Sequence, residues 1–187
     1  MMECMTGNEK IRAADIDRLG IIHYPDPRLR EVCTPLEKVD SDVARLAEKM
    51  FSLMFPARGV GLAAPQVGVT VRLFVASPTF DAADRRVYVN PEIISLEGKQ
   101  ENEEGCLSLP GISCKVRRAA VVAIRATNLD GEQFEETAEE LAARVFQHEM
   151  DHLNGKLLVD RMGSVARLAN RKALRLLEEE FAKSAAR

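Results

Sequence analysis

Apolar residues return at three- and four-residue intervals in Val43, Leu46, Ala47, Met50 and Met54. That spacing predicts an amphipathic helix from Asp40 or Ser41 to about Phe55, ended by Pro56 and Gly59. Pro25-Asp26-Pro27 sets a turn before it. After a glycine-rich stretch, Gly59–Gly68, the period changes. Short β-branched runs at Val71–Ala76, Val87–Val89, Ile93–Leu96 and Ala119–Ala126 read as strands. Asn128-Leu129-Asp130-Gly131 predicts a hairpin turn into a further strand over Gln133–Glu136. Thr137 and Glu140 have capping-box spacing, so the next helix should start there. It would carry Leu141, Val145, His148 and His152 along one face, and Asn154-Gly155 would stop it. A last helix, about Ser164 to Ala185, would bury Leu168, Leu174, Leu177 and Phe181. Strands precede the main helix instead of alternating with helices. The expectation is an α+β fold, with antiparallel or mixed strands packed around a central helix and a C-terminal helix added.

At 187 residues the chain suits one domain. Residues 1–19 read as a loosely ordered extension, 20–163 as the catalytic domain, and 164–187 as a helix on or beyond it. Hydrophobic residues at 46% and charged ones at 29% fit a globular protein. A formal charge of -3 argues for neither a nucleic-acid nor a membrane partner. No stretch approaches the roughly 20 apolar residues of a membrane span, and the N-terminus lacks an apolar signal core. Cys4, Cys33, Cys106 and Cys114 are too irregularly spaced for a disulfide framework, so a reducing, cytoplasmic setting is expected.

Two of the three histidines stand in His148-Glu149-Met150-Asp151-His152. Four residues apart on a helix, both imidazoles can face one metal ion, and Glu149 can exchange a proton beside it. Without Glu149 between them the pair would read as packing or surface histidines. A catalytic metal generally takes three protein ligands. His23, a carboxylate such as Asp160, or a cysteine could be the third. Cys106, in the loop sequence Glu104-Gly105-Cys106-Leu107-Ser108, is the strongest candidate, because a thiolate binds divalent metals well.

Three segments, Gly59–Gln66, Glu104–Pro110 and Gln147–His152, resemble in order and spacing the signature motifs of peptide deformylases. They match Gly-x-Gly-x-Ala-Ala-x-Gln, Glu-Gly-Cys-Leu-Ser and Gln-His-Glu-x-Asp-His at every fixed position, and Pro25–Leu29 resembles the family's N-terminal region. The resemblance runs from about Leu19 to Met162. It implies hydrolysis of the formyl group from the N-terminal formylmethionine of new polypeptides. Carried over residue by residue, Cys106, His148 and His152 would bind one divalent metal. That ion would be Fe2+ in cells, with Zn2+, Ni2+ or Co2+ possible in purified protein.

Glu149 would be the proton carrier. The Gln66 amide and the Leu107 backbone N–H would be the oxyanion donors. Gly61 and Gly105 would offer main-chain groups to an extended peptide. The methionine needs an apolar pocket, for which Leu141, Val145 and Val60 are the candidate walls. Asp151 would act behind the ligands, with Arg118 its candidate partner. Gly111-Ile112-Ser113 stands where some relatives carry an arginine at the substrate mouth. The basic run Arg167, Arg171, Lys172 and Arg175 is compatible with a transient ribosome contact, although a solvated face with i,i+4 charge pairs is simpler. Two alternatives stand beside this reading. One is a catalytically silent binder of formylated N-termini. The other is a zincin-like peptidase, which would need a downstream ligand.

Overall fold

The computed structural model describes residues 5–185. Residues 5–19 depart from the loose extension expected of 1–19. Thr6 caps α1 (Gly7–Ala13): its hydroxyl accepts the Glu9 N–H, and the Glu9 carboxylate accepts the Thr6 N–H. Ile11 and Ile16 are buried in the core that packs on the second helix. Each such burial contributes about 1.5–3 kcal/mol, enough to hold a segment whose acidic residues suggested solvent. The Asn8 amide ties it down further, donating to the Lys38 carbonyl and to Asp40. Cys4 lies outside the described residues.

Helix α2 (Ser41–Met54) matches its expected span. The Asp40 carboxylate accepts the N–H groups of Asp42 and Val43, and Val43, Leu46, Ala47, Met50, Phe51 and Met54 are buried. Strands β1 (Gly61–Ala63), β2 (Leu73–Ala76) and β3 (Arg86–Glu97) then pair in succession. The two runs expected at Val87–Val89 and Ile93–Leu96 are one strand. Asn90-Pro91 between them coincides with a register shift, the local signature of a bulge. Strands β4 (Gln100–Gly105) and β5 (Ser113–Arg118) form a separate two-stranded sheet. Strands β6 (Val121–Thr127) and β7 (Gln133–Glu139) complete the first sheet, whose order β1-β2-β3-β6-β7 is antiparallel throughout.

Helix α3 (Glu140–Leu153) lies against β1, β6 and β7. It does not begin in a Thr137 capping box. Thr137 pairs with Ala123 in the β6–β7 ladder, and the strand runs to Glu139 before the chain turns. Sheet pairing has won over the local cap, because the ladder satisfies that backbone first. The inner face of α3 buries Ala143, Phe146, Met150 and Leu153. Phe146 and Phe74 both pack on Tyr88, with ring centroids 5.0 and 4.4 Å from the tyrosine. This aromatic anchor fixes the helix, so its other face presents Val145, His148, Glu149 and His152 at a set position.

Short helices α4 (Leu158–Arg161) and α5 (Ser164–Ala169) lead to α6 (Arg171–Ala185). The single helix expected from Ser164 is therefore interrupted. Asn170 caps α5, and its side-chain amide also donates to the Ser113 carbonyl of β5. Leu177 is buried against Leu29, Leu109 and Leu158, whereas Leu168 is exposed, contrary to expectation. Tyr24 donates to Glu178 at 2.8 Å, holding α6 on the body. No helix among the described residues is long and apolar enough to cross a membrane.

Candidate active site

Two separate segments converge on α3. The loop entering β1 brings Val60 and Gly61, the end of β4 brings Gly105 and Cys106, and α3 brings Leu141, Val145, His148 and Glu149. All line one open cleft of about 870 Å³, together with Gln66 and Leu107. His152 sits beneath it, 1% exposed. His23, one of the candidates for the third ligand, also reaches the cleft wall but is not a member of the Cys106, His148 and His152 cluster.

The ligating atoms of Cys106, His148 and His152 lie within 4.8 Å of one another, and Cys106 Sγ is 3.3 Å from His152 Nε2. One soft sulfur and two imidazoles suit a divalent transition metal. His148 Nδ1 is 3.1 Å from Glu104 Oε2, which leaves its other nitrogen for the cluster. A carboxylate behind a histidine ligand is the usual way to fix ring and tautomer. The residues present therefore fit such an ion. Burial drives His152 well below the ordinary imidazole range, which keeps it neutral as a ligand must be. Burial also opposes charge on His148, but Cys106 and Glu104 outweigh it and hold a proton there. A bound ion would take that proton's place.

Glu149 is 3% exposed, and its Oε2 has no hydrogen-bond partner among the described residues. Burial pushes its carboxyl up to about 7. Gln66 is equally buried. Its Oε1 accepts the Ala63 N–H at 2.8 Å, which aims its Nε2 at Ser108 Oγ (3.2 Å) and Cys106 Sγ (3.5 Å). The Leu107 N–H makes no backbone hydrogen bond among the described residues.

Behind the ligands lies a buried ion cluster that the sequence revealed only in part. Arg118 donates two N–H bonds to Glu104 at 3.0 and 2.9 Å and one to Asp151 at 2.6 Å. The expected Asp151–Arg118 pair is therefore present. Glu104 and Arg161, which also binds Asp151, were missed as members. Burial opposes ionisation of Glu104, but the His148 and Arg118 bonds bring its carboxyl down to about 2. Gln147 clamps the strand entry instead of the site, exchanging hydrogen bonds with both backbone groups of Ala119. Both Glu104 and Gln147 stood inside motifs already singled out. What no sequence pattern supplied was the partner each one takes.

A family model described as polypeptide deformylase matches residues 19–168. The chain belongs to that family. Peptide deformylase of Acidobacterium capsulatum is 48% identical over 149 residues, which is 79% of this chain and 88% of its own. That of Pseudomonas aeruginosa is 46% identical over 157 residues, 83% of this chain and 94% of its own. Among solved structures, a plant peptide deformylase PDF1B superposes with a TM-score of 0.87 at 38% identity, covering 91% of this chain and 94% of the other. The Legionella pneumophila enzyme gives 0.81 at 44% identity, covering 90% and 98%. Like other deformylases the chain is a metal-dependent hydrolase with an α+β fold.

Two expectations follow from this geometry. A Cβ on Gly61 would stand 2.5 Å from Glu149 Oε1 and 2.9 Å from Val145 Cγ1. Gly61→Ala should therefore shift the carboxylate and lower kcat at least about tenfold, since misplacing a reacting group by about 1 Å can cost about 100-fold in rate. Unchanged kinetics would mean that the β1 loop yields instead.

The second concerns pH. In the metal-free protein the fold keeps a proton on Glu149 between its ordinary 4.5 and about 7, where the unfolded chain has lost it. That stabilisation is full below 4.5 and lost as pH rises through about 7. Glu104 acts in the opposite window, losing its contribution as pH falls from 4.5 towards about 2. Denaturant titrations should show the metal-free wild type losing stability relative to Glu149→Gln as pH rises across the first window. Parallel pH profiles would refute the assignment.

Proposed function

We propose that this chain removes the formyl group from the N-terminal formylmethionine of newly made polypeptides, releasing formate and a free amine. The observation that carries this reading is the convergence of Cys106, His148 and His152 within 4.8 Å, with Glu149 and Gln66 beside them in one cleft. Those three residues would hold one divalent ion, Fe2+ in cells and Zn2+, Ni2+ or Co2+ as purified. When bound, such an ion supplies Lewis acidity, polarising the formyl oxygen and making water a better nucleophile near neutral pH.

The chain's own residues supply the rest. Glu149 accepts a proton as water adds to the formyl carbon, and later delivers it to the amine nitrogen as the C–N bond breaks. Its unpartnered Oε2 and its burial support that role. The Gln66 Nε2–H and the Leu107 N–H donate to the oxyanion that forms at the formyl oxygen. A formyl peptide laid between β1 and β4 meets two strands, each paired with a neighbouring strand on one side only, so Gly61 and Gly105 can take its main chain as an added strand. Val60, Leu141 and Val145 form the methionine pocket. An apolar wall discriminates by about 1–3 kcal/mol per methylene, so preference for methionine over similar side chains is real but incomplete.

Formate release from formyl-Met-Ala-Ser by anaerobically purified protein tests the reading, with metal analysis identifying the ion. No release from metal-loaded protein would favour the silent-binder alternative. The peptidase alternative gains nothing here, because its downstream ligand is not in the cluster. We further propose a cytoplasmic setting, where this substrate emerges. Ribosome contact through α6 is tested by co-sedimentation of Arg171→Glu/Lys172→Glu. The same helix already uses one i,i+4 pair, Arg175 to Glu179 at 2.8 Å, as a solvated face would.

A further inference from the structure

The mouth of the cleft carries two arginines whose side chains the described residues leave unpaired. Arg58 and Arg144 both line it, and neither side chain makes an ion pair or a hydrogen bond among the described residues. This contrasts with other arginines of the fold: Arg118 and Arg161, behind the site, bind Asp151, while Arg117 binds Glu101 and Arg86 binds Asp84 and Glu136 elsewhere. Arg144 stands one helical turn before His148 and one residue before Val145, so it shares the face of α3 that looks into the cleft. Arg58 directly precedes Gly59 and Val60 on the facing wall and is exposed.

The acidic groups of the same cleft do not neutralise them. Glu104 is committed to Arg118 and His148, and Glu149 is buried at the floor. Glu103, on the β4 wall, keeps its charge but accepts the Ser113 hydroxyl at 2.5 Å and forms no ion pair with either arginine among the described residues. His23 adds no negative charge. The opening is therefore polarised, with two free guanidinium groups on the β1 and α3 walls.

We propose that Arg58 and Arg144 set a specificity of the deformylation reaction beyond methionine, favouring peptides with an aspartate or glutamate within two residues of the formylmethionine. The inference rests on the deformylase reading above. An extended peptide advances about 3.3 Å per residue, so with the formyl carbon at the Cys106 cluster the second and third residues lie near the mouth. Side chains alternate, so the third residue returns to the face of the methionine, towards Arg144, and the second turns away from it. Guanidinium groups match a carboxylate through paired N–H donors. At an open mouth such contacts are worth a few-fold each and are screened by salt.

The test compares kcat/KM within each enzyme for formyl-Met-Ala-Glu-amide and formyl-Met-Ala-Gln-amide, and for the pair with the acid at position two. Amidation removes the terminal carboxylate as a competing anion. Wild type should favour the acidic member of at least one pair by about three- to tenfold at low ionic strength, with the ratio falling towards one in high salt. Arg58→Gln/Arg144→Gln should bring the ratio to about one, and Arg144→Glu should lower it further, towards the glutamine member. These are ratios within one protein, so a general loss of activity does not imitate them. A wild-type ratio of one in both pairs, with the glutamine peptides still deformylated, overturns the proposal alone. Absence of formate from every peptide overturns the deformylase reading instead.

Discussion

Glu149→Gln is expected to lower kcat for formate release by about 10²–10⁴-fold while metal content stays at the wild-type level. The carboxylate is 3% exposed, and its Oε2 meets no donor among the described residues, so it is placed to exchange a proton more than to brace the fold. Glutamine has the same shape and can still hydrogen-bond, but it cannot take a proton from water. Nor does the substitution remove a ligand, because the converging donors are Cys106, His148 and His152. The variant should fold, since it replaces a buried acid whose ionisation burial already opposes. Formate assays run beside metal analysis separate the outcomes. A loss smaller than tenfold would remove Glu149 as the proton carrier. A loss accompanied by loss of metal would make it a ligand or a support for one.

How much of this was written in the chain differs by element. Helix α2 was legible because its cap, its apolar stripe and its terminator agree. Strand β5 was legible in principle, since Cys114, Val116 and Arg118 alternate with exposed neighbours. Strand β4, Gln-Glu-Asn-Glu-Glu-Gly, has no apolar alternation at all. It is a strand because β5 pairs with it and because Arg117 and Arg118 answer Glu101 and Glu104. The packing of α1 was hidden for a similar reason. Ile11 and Ile16 are isolated among charges, and only contact with α2 reveals that they are core.

The site divides the same way. Residue types and spacing pointed to Cys106, His148 and His152 because ligand chemistry is local to each motif. Who supports those ligands is tertiary information. Glu104 lies two residues before Cys106 and touches His148, so one carboxylate links the β4 segment to α3. The free arginines at the mouth were equally invisible, because a cation's lack of partners is a property of the folded surface.

Arg118→Met should be strongly destabilising, by about 3–5 kcal/mol in denaturant titration. The Arg118 side chain is 3% exposed, and its partners Glu104 and Asp151 are 7% and 11% exposed. Removing the cation leaves two buried carboxylates. Asp151 keeps Arg161, but Glu104 keeps only His148. Replacing a whole buried cluster by apolar groups can be neutral, whereas removing one member strands the rest. The carboxyl of Glu104, now near 2, must then rise, and its hold on His148 weakens. Metal affinity should accordingly fall about 10–100-fold, the usual cost of losing support behind a ligand. Arg117→Met is the matched control: its side chain is 87% exposed beside Glu101, and exposed pairs are worth about 1 kcal/mol or less. Equal losses for the two variants would mean that the cluster does not bear on stability. A large loss for Arg118 with unchanged metal affinity would mean that it supports the fold without orienting His148.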